Sequence, residues 1–288
     1  MKKIGNIIQQ HRQWLAQSDA MVASELEYLD EDLESNSLEG LDNAADSLGF
    51  LALYHGIHGQ VALYDSDASG KQEISQAIMY RYWSLRLKAK SFSQTSFLRG
   101  VKTVPNLTNQ LSNAACLLAA FIATGQRELA ASVADILHGM LTVKGAVDAD
   151  YLKARRFEPF MLWLYSVYAG NEAPFPVHDA ELGVYQQIVD NWSGDQHLAD
   201  ALQEIAQYHA KNIEDKGGSW DPEFKNAPFD LVLWEVGAID NVRRTLGLES
   251  PTTASPLLPD EVIGFQQLDF GTDDVTAKVE SAYQNLFG

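Results

Sequence analysis

The chain has one cysteine, no long apolar run and no stretch with the alternating pattern of a β-strand. A single cysteine excludes a disulfide framework, and Cys116 lies in the apolar segment Ala114 to Leu118, as expected for a small core residue in a reducing compartment. The longest apolar run, Ala114 to Ala123, is shorter than the ~20 residues that a membrane helix needs. Residues 4–12 lack the apolar region of a secretion signal. These absences predict a cytosolic protein without a membrane partner.

The familiar catalytic motifs are also missing. The sequence has no Walker loop, no dinucleotide-binding glycine pattern, no HExxH motif and no pair of cysteines. We therefore expect a binding protein with no catalytic residues, no bound metal and no cofactor.

Acidic residues outnumber basic ones, with 39 Asp and Glu against 21 Lys and Arg and a net charge of -18. Proteins that bind nucleic acid need clustered Lys and Arg to neutralise phosphates, so this balance argues against DNA or RNA as the partner. A basic protein is the natural complement of such a charge.

The charge is unevenly distributed along the chain. Between Gln13 and Gly70 there are twelve acids and no Lys or Arg, whereas from Lys71 to Lys102 seven basic residues accompany the single acid Glu73. A field of this kind is typical of a chain that meets a charged macromolecule, or of one that must stay in solution.

Apolar residues recur at helical spacing along almost the whole sequence. In the first segment Val22, Leu29 and Leu33 share one helical face and leave most of the acids off it. We predict an all-α fold of about nine to ten helices, as a single bundle or a repeat-like array. It would form one domain over 1–288, with an acidic N-terminal region (1–100) and a C-terminal region (101–288). Beyond the first segment, the predicted helices cover 42–64, 70–90, 107–124, 127–141, 151–168, 181–192, 197–215, 228–247 and 274–287.

His55 and His58 form the first candidate for site chemistry. Their spacing of three residues would place both imidazoles on one helical face, with Asp65 or Asp67 nearby in sequence as further metal ligands. The pattern lacks a third well-spaced ligand, so we expect structural histidines instead.

His209 is the second candidate. It shares a helical face with Leu198 and Leu202, and an acid–base role with Asp200 or Glu204 is one interpretation. The interpretation that we prefer is a hydrogen-bonded histidine of the core.

A group of acids near the C-terminal third is the third candidate. Paired carboxylates beside aromatic residues are what a sugar-cleaving site in a helical toroid requires. Helix caps and turns around an aromatic cluster would explain the same pattern, because Asp221-Pro222 is itself a turn sequence. We interpret Glu158, close to Arg155 and Arg156, as a local charge pair. The acids of the group are Asp221, Glu223, Asp230 and Glu235.

The segment from Tyr208 to Pro259 combines a histidine-bearing helix, a loop rich in Asp, Phe and Pro, and a helix whose Arg243 and Arg244 precede Gly247. In this order of elements, which covers about a fifth of the chain, it resembles the C-terminal region of helical immunity proteins from bacterial polymorphic toxin systems. The resemblance implies a cytosolic protein that neutralises a toxin by occluding its active site or locking its fold. It assigns no functional residue.

The acidic stretch offers a binding surface for such a toxin. Toxins that cut nucleic acids are basic because they hold phosphates, so an acidic surface would imitate the substrate and speed association. A solvated helix face is the alternative explanation of these acids. Buried anchors would also be needed, and Trp14, Tyr28, Trp83 and Trp220 are candidates if exposed. The predicted partner-binding residues are Glu25, Glu27, Asp30, Glu31, Asp32 and Glu34.

Two other functions stay open on the sequence. A helical-repeat adaptor that binds a protein or peptide is suggested by the helical hairpin at 107–141. A toroid hydrolase would use the C-terminal group of acids in a deep pocket lined by aromatic residues.

Overall fold

The computed structural model describes residues 2–95, 107–170, 181–194, 197–214, 222–253, 255 and 257–288. The regular elements in these ranges are helices, with no β-strand among them, which confirms the predicted all-α fold. In the same ranges no helix combines the length and the apolar content that crossing a bilayer requires. The α-helices are α1 (Lys2–Glu34), α2 (Leu38–Tyr64), α3 (Gly70–Thr95), α4 (Leu111–Ala123), α5 (Arg127–Thr142), α6 (Ala149–Lys153), α7 (Phe157–Ala169), α8 (Gln186–Asp190), α9 (Leu198–Lys211), α10 (Trp234–Thr245), α11 (Asp260–Ile263) and α12 (Asp274–Phe287).

The chain divides into two compact units. Residues 2–107 and 267–288 form the first, here called the bundle unit, and residues 108–266 form the second, here called the α4 unit. Residues 274–287 were predicted to belong to the C-terminal region, whereas the structure groups them with α1, α2 and α3. The number of domains stays a prediction.

Four helices make up the bundle unit. α2 packs against α1 and α3, and α12 packs against α3 and α1, so each helix has two neighbours. α1 has 33 residues and is therefore about 50 Å long. Its Leu29, together with Leu48 of α2 and Ile78 of α3, is buried in the core.

Local capping fixes where two of these helices begin. The Ser37 side chain accepts a hydrogen bond from the Gly40 amide at 3.0 Å, so α2 begins at Leu38 and not after Asp42 as predicted. At the start of α12, Asp273 and Thr276 form a capping box. The predicted bounds of this last helix are confirmed.

Glycines allow α2 and α3 to approach closely near their connection. A Cβ atom added at Gly59 would lie 2.8 Å from the Gly70 carbonyl oxygen, and one at Gly70 would lie 2.5 Å from the Gly59 oxygen. Real Cβ atoms do not come this close to backbone oxygen, so both positions require glycine.

The α4 unit is built around its first helix. Except for Ser112, each residue of α4 is buried, and α5, α7 and α10 pack around it. Ala114, Ala119 and Ala130 are fully buried, as expected for small residues that let helices approach. Gly125, at φ +76°, lies in the connection between α4 and α5, where the sequence predicts the turn of the helical hairpin.

Several predicted helices of this unit have different bounds; the helix predicted over 181–192, for example, is reduced to α8 after a 3-10 turn. The run 151–168 is interrupted and gives α6 and α7. The helix predicted from Pro228 begins only at Trp234, because backbone groups at both ends of the preceding segment bond to distant parts of the chain. The Phe224 amide donates to the Asn212 carbonyl, and the Leu231 carbonyl accepts from the Leu258 amide.

Candidate functional site

The predicted partner-binding acids all lie on α1, but they differ in exposure. Glu27, Glu31 and Glu34 are exposed and follow at spacings of four and three residues, so they form one outward line, here called the acidic stripe. Glu25 and Asp32 are half-buried. Within the described residues, no ion pair joins the acidic stripe to a basic side chain.

Large apolar side chains flank the acidic stripe. Tyr28 is 57% exposed and Met21 is 48% exposed, and their spacing of seven residues puts them on one side of the helix. Aromatic residues of this exposure are suited to fill a pocket on a partner. Tyr28, Met21 and the acidic stripe are called the α1 surface below.

The other predicted anchors are less accessible. Trp83 is 5% exposed and packs against Tyr283, with ring centroids 5.9 Å apart. Trp14 is half-buried beside Phe50, at 5.9 Å between ring centroids. Trp220 lies outside the described residues. Tyr28 is thus the candidate anchor that the structure exposes.

Other acids of the stretch from Gln13 to Gly70 do have basic partners, which come from distant segments of the sequence. Lys278 Nζ lies 2.7 Å from Asp30 Oδ1, and Lys88 Nζ lies 3.0 Å from carboxylate oxygens of both Asp42 and Asp46. Arg12 pairs with Asp65 at 2.6 Å. The three carboxylates of the acidic stripe differ from these acids in having no such partner among the described residues.

The basic run of α3 does not form a separate surface. The Arg86 guanidinium lies 4.5 Å from the ring centroid of Tyr283, and Lys90 Nζ lies 4.8 Å from that of Phe287. These cations hold α12 against α3. Arg99 and Lys102 lie outside the described residues.

His55 and His58 share a carboxylate. Glu73 Oε2 lies 2.7 Å from His55 Nδ1, and its Oε1 lies 3.5 Å from His58 Nδ1. Burial raises the pKa of Glu73, but the hydrogen bond and charge of His55 outweigh burial and lower that pKa overall. Within the described residues, no group of three or more His, Cys, Asp or Glu side chains is arranged to hold a metal ion.

The α4 unit contains a buried ionic network, of which the sequence predicts only the Arg155–Glu158 pair. Arg155 lies just before α7 and is 6% exposed, and its Nη2 is 2.5 Å from Glu158 Oε1 and 3.5 Å from Glu223 Oε1. Arg155 Nη2 also donates to Ser112 Oγ at 2.6 Å, and the Tyr208 hydroxyl donates to Glu223 Oε2 at 2.5 Å. The network joins α4, α7, α9 and the segment before α10.

His209 and Glu235 extend this network. Both side chains are 1% exposed, and His209 Nδ1 lies 2.8 Å from Glu235 Oε1. His209 Nε2 faces the Asp230 carbonyl oxygen at 3.3 Å, so an acceptor stands opposite each ring nitrogen. His209 is a hydrogen-bonded core histidine, as preferred, and its partner is Glu235, not Asp200 or Glu204.

Two further buried carboxylates, Glu158 and Glu235, lie near Glu223 and affect its pKa. Burial and the charge of Glu158 raise the pKa of Glu223 to about 7, against the lowering effects of Arg155 and the Tyr208 hydrogen bond. The charge of Glu235 raises the same pKa further. With a pKa of about 7, Glu223 titrates near neutral pH.

Replacing Glu223 with Gln is expected to change how stability depends on pH. The pKa of Glu223 is higher in the folded chain than its ordinary value of 4.5, so the folded chain binds more protons and the wild type loses stability as pH rises from about 4.5 to about 7. Relative to the Gln variant, we expect a loss on the order of 2–3 kcal/mol across this window, with the variant more stable at pH 8. Urea unfolding at pH 5, 6, 7 and 8 measures it. Parallel profiles, like those expected for the exposed control Glu204→Gln, would contradict the assignment.

The carboxylate group predicted near the C-terminal third is only partly assembled. Glu223 and Glu235 both belong to the network, Asp230 contributes its backbone carbonyl, and Asp221 lies outside the described residues. A sugar-cleaving pair must be reached by substrate, whereas Glu223 is 7% and Glu235 1% exposed. The predicted pair of Glu158 with Arg155 is confirmed, and Arg156 instead pairs with Glu181 at 2.7 Å.

No protein-family model matches the chain, and neither the curated proteins nor the solved structures contain a significant match to it.

Proposed function

We propose that the chain is an immunity protein, which binds a basic protein toxin through the α1 surface and neutralises it. The observation that carries the proposal is the composition of that surface. Three carboxylates without ion pairs among the described residues stand beside Tyr28, a large aromatic side chain that is 57% exposed. The resemblance of residues 208–259 to helical immunity proteins supports the same function.

The two components of the α1 surface have different roles in binding. Carboxylates that keep their full charge raise the association rate with a basic partner, and this effect weakens as salt is added. Aromatic anchors contribute affinity instead, because they lose water completely when they enter a pocket. Occlusion of a phosphate-binding cleft by acids needs no chemistry from the bound protein.

The direct test is complex formation with the protein encoded by the neighbouring gene. We expect the two purified proteins to elute together on size exclusion, and we expect co-expression to protect cells from that protein. Failure of both would overturn the proposal.

Substitutions on the α1 surface locate the interface. Tyr28→Ala is expected to weaken binding by about thirty-fold, as for a central aromatic anchor. The triple variant Glu27→Gln, Glu31→Gln, Glu34→Gln is expected to lower the association rate at least ten-fold at low salt and to flatten its salt dependence. Surface plasmon resonance at 50 and 300 mM NaCl measures both.

A matched triple variant controls for net charge. Asp135, Asp200 and Glu204 are exposed acids of the α4 unit, and replacing them with Asn, Asn and Gln removes the same three charges. If both triple variants change the association rate equally, the effect comes from overall charge and the α1 surface is not the interface.

A further inference from the structure

A groove of about 730 Å³ lies beside the acidic stripe, between the last turns of α1 and the middle of α12. Asp30 and Glu34 of α1 form one wall, and Asn285 of α12 lies on the other. Leu33 and Ala282, which are 8% and 9% exposed, supply apolar surface within it. The groove is therefore apolar at its base and negatively charged along one wall.

The acidic residues at the C-terminal end of α1 are unfavourable for the helix dipole. The C-terminus of a helix carries partial negative charge, so basic residues stabilise the last turn and acids destabilise it. The last turn of α1 contains no basic residue but does contain Glu31, Asp32 and Glu34. By contrast, α10 ends with Arg243 and Arg244. A cation from outside α1 would relieve this unfavourable arrangement.

We infer that the groove accepts an arginine side chain of the basic partner, an assignment that rests on the proposed function. The aliphatic portion of arginine would pack on Leu33 and Ala282, as long charged side chains do over apolar surface. Its planar guanidinium carries five N–H donors in a rigid fork that matches carboxylates bidentately, so it would suit Asp30 and Glu34 better than the compact ammonium of lysine.

Lys278 already bonds to Asp30, one of the two carboxylates that the guanidinium would contact. Its Nζ lies 2.7 and 2.8 Å from the two Asp30 oxygens, and its side chain lines the groove while remaining 57% exposed. An exposed pair of this kind is weak, since water competes with both charges. Lys278 therefore acts as an internal competitor, which an incoming guanidinium displaces from Asp30.

Competition by Lys278 predicts that substituting Lys278 and substituting Asp30 change the affinity for an arginine-rich probe in opposite directions. A fluorescein-labelled hexa-arginine peptide serves as the probe, and fluorescence anisotropy in 50 mM NaCl gives its dissociation constant. Lys278→Met is expected to tighten binding about three- to five-fold because Asp30 becomes available, whereas Asp30→Asn is expected to weaken it by a similar factor. Glu34→Gln is expected to weaken binding as well.

The pair Lys153–Asp150 of the α4 unit provides the control. Its two side chains are 2.7 Å apart and exposed, so Lys153→Met and Asp150→Asn change net charge in the same way without touching the groove. Equal effects of the variants at both pairs would overturn the inference, as would tighter binding of a hexa-lysine peptide. Circular dichroism verifies that each variant is folded.

The outcome for the groove is separable from that for the proposed function. If the protein of the neighbouring gene binds and responds to Tyr28→Ala but not to Lys278→Met, the groove assignment fails while the immunity function stands. If hexa-arginine follows the expected pattern but that protein does not bind, the immunity function fails while the groove stands.

Discussion

Arg155→Met is expected to lower the free energy of unfolding by about 3–5 kcal/mol, because it leaves Glu158 buried without a cation. Arg155 donates hydrogen bonds from Nε and Nη2 to Glu158, which is 0% exposed. Its Nη2 also lies 3.5 Å from Glu223 Oε1. Methionine keeps much of the side-chain volume, so the loss reports charge more than packing. Urea unfolding at pH 8, where Glu223 is ionised, measures the effect.

The adjacent residue supplies the control for Arg155. Arg156 pairs with Glu181, whose side chain is 82% exposed, so Arg156→Met is expected to change stability by at most about 1 kcal/mol. In the double variant Arg155→Met, Glu158→Gln the unpaired charge of Glu158 is gone, and we expect part of the lost stability to return. Equal losses for the two arginine variants would show that the network does not depend on its central cation.

Gly70→Ala is expected to destabilise the bundle unit by about 3 kcal/mol, because the added methyl group would overlap neighbouring backbone and side-chain atoms. It would lie 2.5 Å from the Gly59 carbonyl oxygen and 2.7 Å from Leu63 Cγ, so α2 and α3 must separate to admit it. Thermal and urea unfolding of the variant measure the loss.

Gly139 gives the matched substitution of opposite sign. It lies within α5, and a Cβ atom added there would meet nothing within 4 Å. Gly139→Ala is therefore expected to stabilise the chain by about 0.5–1 kcal/mol through helix propensity alone. If both glycine variants were stabilising, the close approach of α2 and α3 would be wrong.

Local sequence signals explain what could be predicted of the fold. The start of α12 follows from residues within one turn, since the Asp273 side chain caps the helix by accepting a hydrogen bond from the Thr276 amide. The break between α4 and α5 follows from Gly125, whose φ of +76° suits glycine. The predicted start of α2 is wrong because Ser37 and Asp42 are both good capping residues, and sequence alone does not say which one is used.

The sites are predictable to different degrees. The exposed acids of α1 can be predicted because helical spacing already places Glu27, Glu31 and Glu34 off the apolar face. Of the buried network only the Arg155–Glu158 pair can be predicted, because the other members are far apart in the chain. Glu223 is 68 positions from Arg155, and no periodic pattern links residues across such a distance. For the same reason the sequence contains no sign that Lys278 neutralises Asp30.

The position of α12 in the chain affects how the bundle unit is made on the ribosome. The first three helices end at Thr95, while Tyr283, which covers Trp83 and Arg86 of α3, is synthesised much later. At common translation rates the intervening residues take on the order of 10–30 s to appear. During this interval the nascent chain must keep that side of α3 covered by other means, such as a chaperone, or leave it exposed to water.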